Sequence, residues 1–351
     1  MSVVLSDSLP MTTEALTPDW LGNALGADVE KFRTDEIIWG TATKVLIDVQ
    51  FGNRHGDIPS ALCVKGGFDE RLRSLGEAND AYRLEARFFG ELAAKLPVAL
   101  PRTYFCGVAD DTAQGVVIME DLRARSGRFG EPCEPVTPDE VASGLAMQAQ
   151  WHAATWGDAP ALAPWLSVGS SSVRSAAQML LSEGFWDHHR TQAESPDIPP
   201  ALDDRPRILR GFEALWAYED ARTGALAHGD AHLGNTHISS DGEVTFIDWQ
   251  GVCIAPWSYD VAYFITGALT VEDRRTHERD LLAHYQTELI SAGGPLLDPD
   301  ECFAAYRRHA LHGFLWSLTP PVMQTSERVQ AMSARHLAAI EDLESLALLG
   351  V

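Results

Sequence analysis

A chain of 351 residues is long enough for two lobes, each with a core of its own, and 45% apolar residues place it among ordinary globular proteins. Against 50 Asp and Glu there are only 27 Lys and Arg, giving a formal charge of −23 with no basic run, which excludes a groove for nucleic-acid phosphates. The acidic balance reads first as a solubilising surface and second as an attraction for a cationic small molecule. Cys63, Cys106, Cys133, Cys253 and Cys302 lie far apart with no C-x-x-C pair, so neither a zinc ribbon nor a dense disulfide frame is expected. A reduced, soluble, cytoplasmic protein fits this usage. The first residues lack the basic start and apolar run of a signal peptide. No apolar stretch approaches the roughly 18–20 residues that span a bilayer.

Along the chain, Thr17-Pro18-Asp19-Trp20 supplies a capping residue and a proline at the first helical position, and predicts a short helix. Strands are predicted at 37–39, 44–51 and 61–65, the second with Val45, Ile47, Val49 and Phe51 on one face. Gly40-Thr41-Ala42-Thr43 makes the first turn and Gly52-Asn53 opens the next. A helix is predicted over 78–95, where Leu84, Phe88, Leu92 and Leu96 recur at helical spacing. Strands at 102–108 and 115–119 complete a five-stranded antiparallel sheet. The stretch 123–138, rich in Arg, Gly and Pro, reads as a connector. Thr137-Pro138-Asp139-Glu140 is a capping box that launches a helix to about residue 155. Further helices are predicted near 173–190, 205–222, 258–269, 272–292, 299–317 and 326–348. Short strands at 225–227, 236–239 and 244–247 interrupt them around a dense polar motif. The expected fold is α+β and bilobal: a sheet lobe over 1–119, a connector over 120–136, and a helical lobe over 137–351, with a cleft between the lobes.

That motif is His228-Gly229-Asp230-Ala231-His232-Leu233-Gly234-Asn235, followed by a strand hairpin and Ile247-Asp248-Trp249. Phosphoryl transfer asks little covalent chemistry of a protein. It needs a carboxylate to orient and deprotonate the acceptor hydroxyl, and oxygen ligands for cations that neutralise the phosphates. Asp230 suits the first task, while Asn235 and Asp248 supply oxygens for the second.

HGDAHLGN with IDWQ resembles the aminoglycoside phosphotransferase and choline-kinase-like family, the small-molecule relatives of the protein kinases. The pattern is His-x-Asp-x-x-x-x-Asn, a hairpin, then Asp without the Phe-Gly of protein kinases. The resemblance runs from about residue 35 to 270. It implies a protein-kinase-like fold, with Asp230 as catalytic base and Asn235 and Asp248 as Mg²⁺ ligands. His228 and His232 would brace the loop, and Asp260, in Pro256-Trp257-Ser258-Tyr259-Asp260, would hold it from behind by accepting backbone N–H bonds. It further implies that Lys65, at the end of its strand, pairs with α- and β-phosphates of ATP or GTP, and that Glu85 in Arg83-Leu84-Glu85-Ala86-Arg87-Phe88-Phe89 is its ion-pair partner. Gly40, Thr41 and Thr43 sit where the family covers the triphosphate with backbone N–H groups and hydroxyls. Met119, Glu120 and Leu122 fall at the hinge that meets the adenine edge.

The implied activity is a Mg²⁺-dependent kinase that phosphorylates a hydroxyl of a small molecule, with no nucleic-acid, membrane or obligate protein partner. Two readings compete from other classes. A zinc metallohydrolase would use the spacing of His228, Asp230 and His232, and a nucleotide-binding pseudokinase would regulate without catalysis. A protein acceptor is disfavoured, because only eleven residues separate Asp248 from Asp260, too few for a peptide-docking segment. Trp156, Trp165, Trp186, Trp257 and Trp316 either wall an acceptor pocket or fill the core of the helical lobe. The first alternative points to an acceptor with apolar or aromatic surface. An aminoglycoside- or choline-like cation is the other acceptor class.

Overall fold

The structure is a computed structural model that describes residues 3–5, 8–52, 56–73, 80–166, 172–222 and 224–351. The chain divides into two compact units, Met1–Ser126 with Asp248–Gly251, and Gly127–Ile247 with Val252–Val351.

The first unit is built on a sheet of β1 (Val4–Leu5), β2 (Val29–Ile38), β3 (Thr43–Phe51), β4 (Ala61–Gly66), β5 (Thr103–Ala109) and β6 (Gln114–Glu120), in the order β1-β5-β6-β4-β3-β2. Five strands are antiparallel, as their patterning predicts, and a sixth, the two-residue β1, adds to β5 in parallel. The first predicted strand is longer than its apolar core suggests, beginning at Val29 and ending before Trp39. Strict alternation gives β3 two faces. Val45, Ile47 and Val49 join Leu62 and Val64 of β4 in a core closed by Leu21 and Leu25. Those leucines belong to the helix Pro18–Leu25, which starts with the Trp20 N–H donating to Thr17 Oγ1 at 3.1 Å and stops at Gly26, where φ is +61°.

The helix predicted over 78–95 is α-helical only for Asp80–Arg87; residues 78 and 79, like Asn53 of the second turn, lie outside the described residues. It widens to a π turn over Phe88–Leu92 and tightens to a 3₁₀ turn over Ala93–Lys95. The adjacent Phe88 and Phe89 are both buried in that π turn.

In the second unit the helix Pro138–Thr155 begins with both halves of the predicted capping box in place, Thr137 and Glu140 bonding reciprocally. The connector is more ordered than its composition suggests. Within it β7 (Arg128–Phe129) pairs with β9 (Thr236–Ile238), which also pairs with β10 (Val244–Phe246). A second ribbon joins β8 (Ala225–Ala227) to β11 (Cys253–Ala255). The predicted helix over 299–317 is α-helical for Pro299–His309 and 3₁₀ for Ala310–Leu318, where Gly313 lets His336 approach its backbone. Most of the tryptophans considered for a pocket are core. Trp186 stacks on Phe314, Trp257 stacks on Tyr285, and both are buried, as is Trp316. Trp156 and Trp165 are half-buried. Among the described residues no helix is long and apolar enough to cross a membrane.

Candidate active site

In the first unit Lys65 ends an apolar strand and turns its side chain to the face opposite Val64. Only 3% of that side chain is exposed, and its ammonium lies 2.7 Å from Glu85 Oε1 and 2.8 Å from Asp248 Oδ1. Burial works against the charge, but Asp248 and Glu85 together hold the ammonium above its ordinary pKa. The same burial pushes the neighbouring Cys63 thiol up to about 12, so it packs as an apolar group. Glu85 is fixed from a second side, its Oε1 also accepting the Trp249 N–H at 3.1 Å. The Trp249 ring stacks on Phe88 with centroids 4.0 Å apart. Between these anchors Asp248 takes a left-handed backbone, φ +66°, a conformation that non-glycine residues seldom adopt.

The turn and hinge residues lie on the same sheet in less polar surroundings. The Thr41 carbonyl accepts the Tyr82 hydroxyl at 2.7 Å, and Gly40 is half-buried. Thr43 shares the face of Val45, buried with its hydroxyl unpartnered, and is therefore turned away from Lys65. Lys44, the next residue, stands on the Lys65 face with its Nζ 3.3 Å from Asp248 Oδ2. Met119 and Leu122 are buried at the end of β6 and just beyond it. The Glu120 carboxylate is spent on the Arg102 N–H and the Arg125 guanidinium.

In the second unit the polar motif is a loop from β8 to β9, built around a buried carboxylate. Asp260 is fully buried near the start of the helix Ser258–Ala268 and accepts the N–H groups of His228 at 2.7 Å and Gly229 at 3.0 Å. Gly229 carries φ +82°, which permits the sharp turn into Asp230. His152 Nε2 lies 3.4 Å from Asp260 Oδ2, and its Nδ1 meets the Tyr285 hydroxyl at 2.9 Å. The two loop histidines are fixed by their bonds. His228 Nδ1 accepts the Asp230 N–H, which leaves the proton on Nε2 to be donated to the Ile247 carbonyl at 2.9 Å. His232 Nδ1 accepts the Gly234 N–H, which places its proton on Nε2, 3.7 Å from Asp230 Oδ2. The Asn235 amide donates to both the carbonyl and Oδ2 of Asp230, at 2.9 and 3.1 Å. The Asp230 side chain is thus oriented by its neighbours while 42% of it stays exposed.

This bonding removes the zinc reading. Both histidines use Nδ1 to accept backbone N–H groups and direct protonated Nε2 at oxygens, so neither presents a lone pair beside Asp230. No cluster of three His, Cys, Asp or Glu side chains suited to a metal occurs among the described residues.

Lys44 and His152 were absent from the sequence-derived site. Alternation in β3 carried the signal for Lys44, since a strand with Val45 and Ile47 facing the core must turn Lys44 to the other side. A lone buried histidine on a helix gives no comparable signal.

A buried Lys–Glu–Asp cluster in a sheet unit and an oriented, exposed carboxylate on a His-x-Asp-x-x-x-x-Asn loop in a helical unit define a protein-kinase-like phosphotransferase. The chain belongs to the phosphotransferase enzyme family of aminoglycoside phosphotransferases and choline-kinase-like proteins, whose model matches residues 71–298. It is a small-molecule phosphotransferase. Solved structures share its fold at low identity. An ethanolamine kinase from Plasmodium vivax aligns with a TM-score of 0.53 at 14% identity, over 94% of this chain and 84% of that one. A spectinomycin phosphotransferase, solved with ADP and spectinomycin, aligns with a TM-score of 0.51 at 11% identity, over 93% and 97%. No curated protein matches the sequence.

Proposed function

We propose that the enzyme transfers the γ-phosphoryl group of ATP or GTP, with Mg²⁺, to a hydroxyl of a small molecule. The observation that carries this is the Lys65 ammonium shared between Glu85 and Asp248, a buried cation of the kind that positions phosphates. In this reading Asp230 accepts the proton of the acceptor hydroxyl as that oxygen attacks phosphorus. Asp260 holds the loop that presents it. The donor set suits Mg²⁺: Asp248 offers carboxylate oxygens, and Asn235, its amide nitrogen spent on Asp230, offers its carbonyl oxygen. Mg²⁺ takes such hard ligands and fills its remaining positions with water and phosphate oxygens. When bound, the ion would neutralise charge on the transferring phosphoryl group.

For the acceptor, we favour a hydroxylated compound with apolar or aromatic surface. Support comes from the surroundings of Asp230 in the helical unit. Trp316 meets the His232 ring edge-on at 5.1 Å, and Tyr263 meets it at 6.2 Å. Burial first, and then the charge of Asp230, push the Tyr263 hydroxyl well above its ordinary pKa. These two neighbours of the loop are aromatic, which suits an acceptor with apolar or aromatic surface. A coupled assay of nucleoside-diphosphate release across phenols, sterols, amino-alcohols and amino sugars tests both parts. Turnover with phenols or sterols is expected. Turnover confined to amino sugars or quaternary amines overturns the acceptor class, and failure to bind any nucleoside triphosphate overturns the kinase reading.

A further inference from the structure

In the register of β3 and β4, Lys44 stands directly opposite Lys65. Like charges at directly opposed positions repel, so this pairing persists where anions lie against both. Asp248 fills that place. Lys65 Nζ is 2.8 Å from its Oδ1 and Lys44 Nζ is 3.3 Å from its Oδ2, so each oxygen of the carboxylate assigned to Mg²⁺ is engaged by an ammonium.

The two lysines are not equivalent. Lys65 is almost wholly buried and is also held by Glu85. A third of the Lys44 side chain is exposed, and its charge rides on a flexible four-carbon stem. Asp248 cannot follow a moving partner, because its left-handed backbone leads directly into Trp249, which is bonded to Glu85 and stacked on Phe88. When something must leave this cluster, it is Lys44.

We propose that Lys44 is a further triphosphate-binding residue, held on Asp248 until nucleotide arrives. This rests on the phosphotransferase reading above. With Lys44 in place the cluster balances two ammonium groups against two carboxylates, so it exerts no net attraction on a divalent cation. A hard cation also needs the oxygen lone pairs that the ammonium occupies. Phosphate oxygens, several and highly charged, compete for Lys44 better than one carboxylate oxygen does. As Lys44 passes to them, Oδ2 becomes available to the cation. Nucleotide therefore prepares its own metal site, and the free enzyme is guarded against binding the ion alone.

Calorimetry on the whole chain tests this with three titrants: Mn²⁺ alone, adenylyl or guanylyl imidodiphosphate with Mg²⁺, and the matching nucleoside. Lys44→Met should bind Mn²⁺ alone about tenfold tighter than wild type and the imidodiphosphate about tenfold or more weaker, the worth of one charge-assisted bond. Nucleoside affinity should not change. Lys44→Arg, which keeps the charge, should retain most of the imidodiphosphate affinity, and equal melting temperatures exclude misfolding. If wild type binds the imidodiphosphate and Lys44→Met alters only one of the two affinities, or neither, the role of Lys44 is overturned and the phosphotransferase reading stands. If wild type binds no imidodiphosphate, both fall.

Discussion

Asp260 offers the sharpest test of how the catalytic loop is held. Its carboxylate is fully buried and accepts two backbone N–H bonds, at 2.7 and 3.0 Å, from the residues immediately before Asp230. A hydrogen bond to a charged acceptor contributes about 1.5–3 kcal/mol, and a buried N–H left without a partner costs about 1–3 kcal/mol. Asp260→Ala removes both bonds, so it should cost about 4 kcal/mol, a large part of the roughly 5–15 kcal/mol that keeps a protein folded. Asp260→Asn keeps one acceptor oxygen but turns an NH₂ group toward the second donor, and should cost about 2 kcal/mol. Since a misplacement of about 1 Å can lower turnover about 10²-fold, the Asn variant should lose turnover while folded. Its nucleotide affinity should survive, because Lys65, Glu85 and Asp248 make no use of Asp260. Urea titration gives the stability change, and steady-state kinetics beside nucleotide calorimetry give the rest. An Asn variant with wild-type stability and turnover would refute this account of the loop.

Three further outcomes are expected. Asp230→Asn should lower turnover about 10²–10⁴-fold, the usual worth of a positioned base, with nucleotide affinity kept; near-normal turnover would remove Asp230 from the chemistry. Lys65→Met leaves Glu85 and Asp248 facing each other across a buried site, and losing one member of such a cluster costs about 3–5 kcal/mol; thermal melts should show the loss, and calorimetry should show triphosphate weakened more than nucleoside. His312 is held at about 4, below its ordinary 6.5, by burial, with Glu219 and Asp230 opposing. A depressed pKa means the unfolded chain takes up the proton first, so this stability is complete above pH 6.5 and drains away as pH falls toward 4, by up to about 3 kcal/mol; urea midpoints of wild type and His312→Gln across that window should converge at low pH, and parallel curves would count against it.

Much of this was legible because the signals were local. Alternation of Val45, Ile47 and Val49 placed β3, Thr17 and Thr137 marked two helix starts, and a spacing of twenty positions from Lys65 to Glu85 suffices for a strand end to meet the next helix. What stayed hidden depends on tertiary context. A two-residue strand such as β1 or β7 has no period to detect and exists only because β5 or β9 supplies the partner. The π turn at Phe88–Leu92 has no signature in the helical spacing of Leu84, Phe88 and Leu92, which a regular helix would share. Composition could not separate Trp186 and Trp257 in the core from tryptophans lining a pocket, since both uses need a buried indole. Thr43 and Lys44 were the reverse case: the alternation that placed β3 already assigned them to opposite faces, and it is Lys44 that shares the face of Lys65.

The backbone of Asp248 bears on function independently of any resemblance. Ile247, the residue before it, is held at both ends, its N–H donating to the Asn235 carbonyl and its carbonyl accepting from His228, each at 2.9 Å. Trp249, the residue after it, is bonded to Glu85. Between them the chain turns through φ +66°, and a non-glycine residue in such a conformation costs about 1–3 kcal/mol. Packing gives no reason for that cost to fall on a carboxylate, because glycine would make the same turn more cheaply and asparagine about as well. What glycine and asparagine cannot supply is a negative charge set against Lys65 and Lys44. The turn sets that charge against the two ammonium groups, a use of the strained backbone that packing alone does not account for.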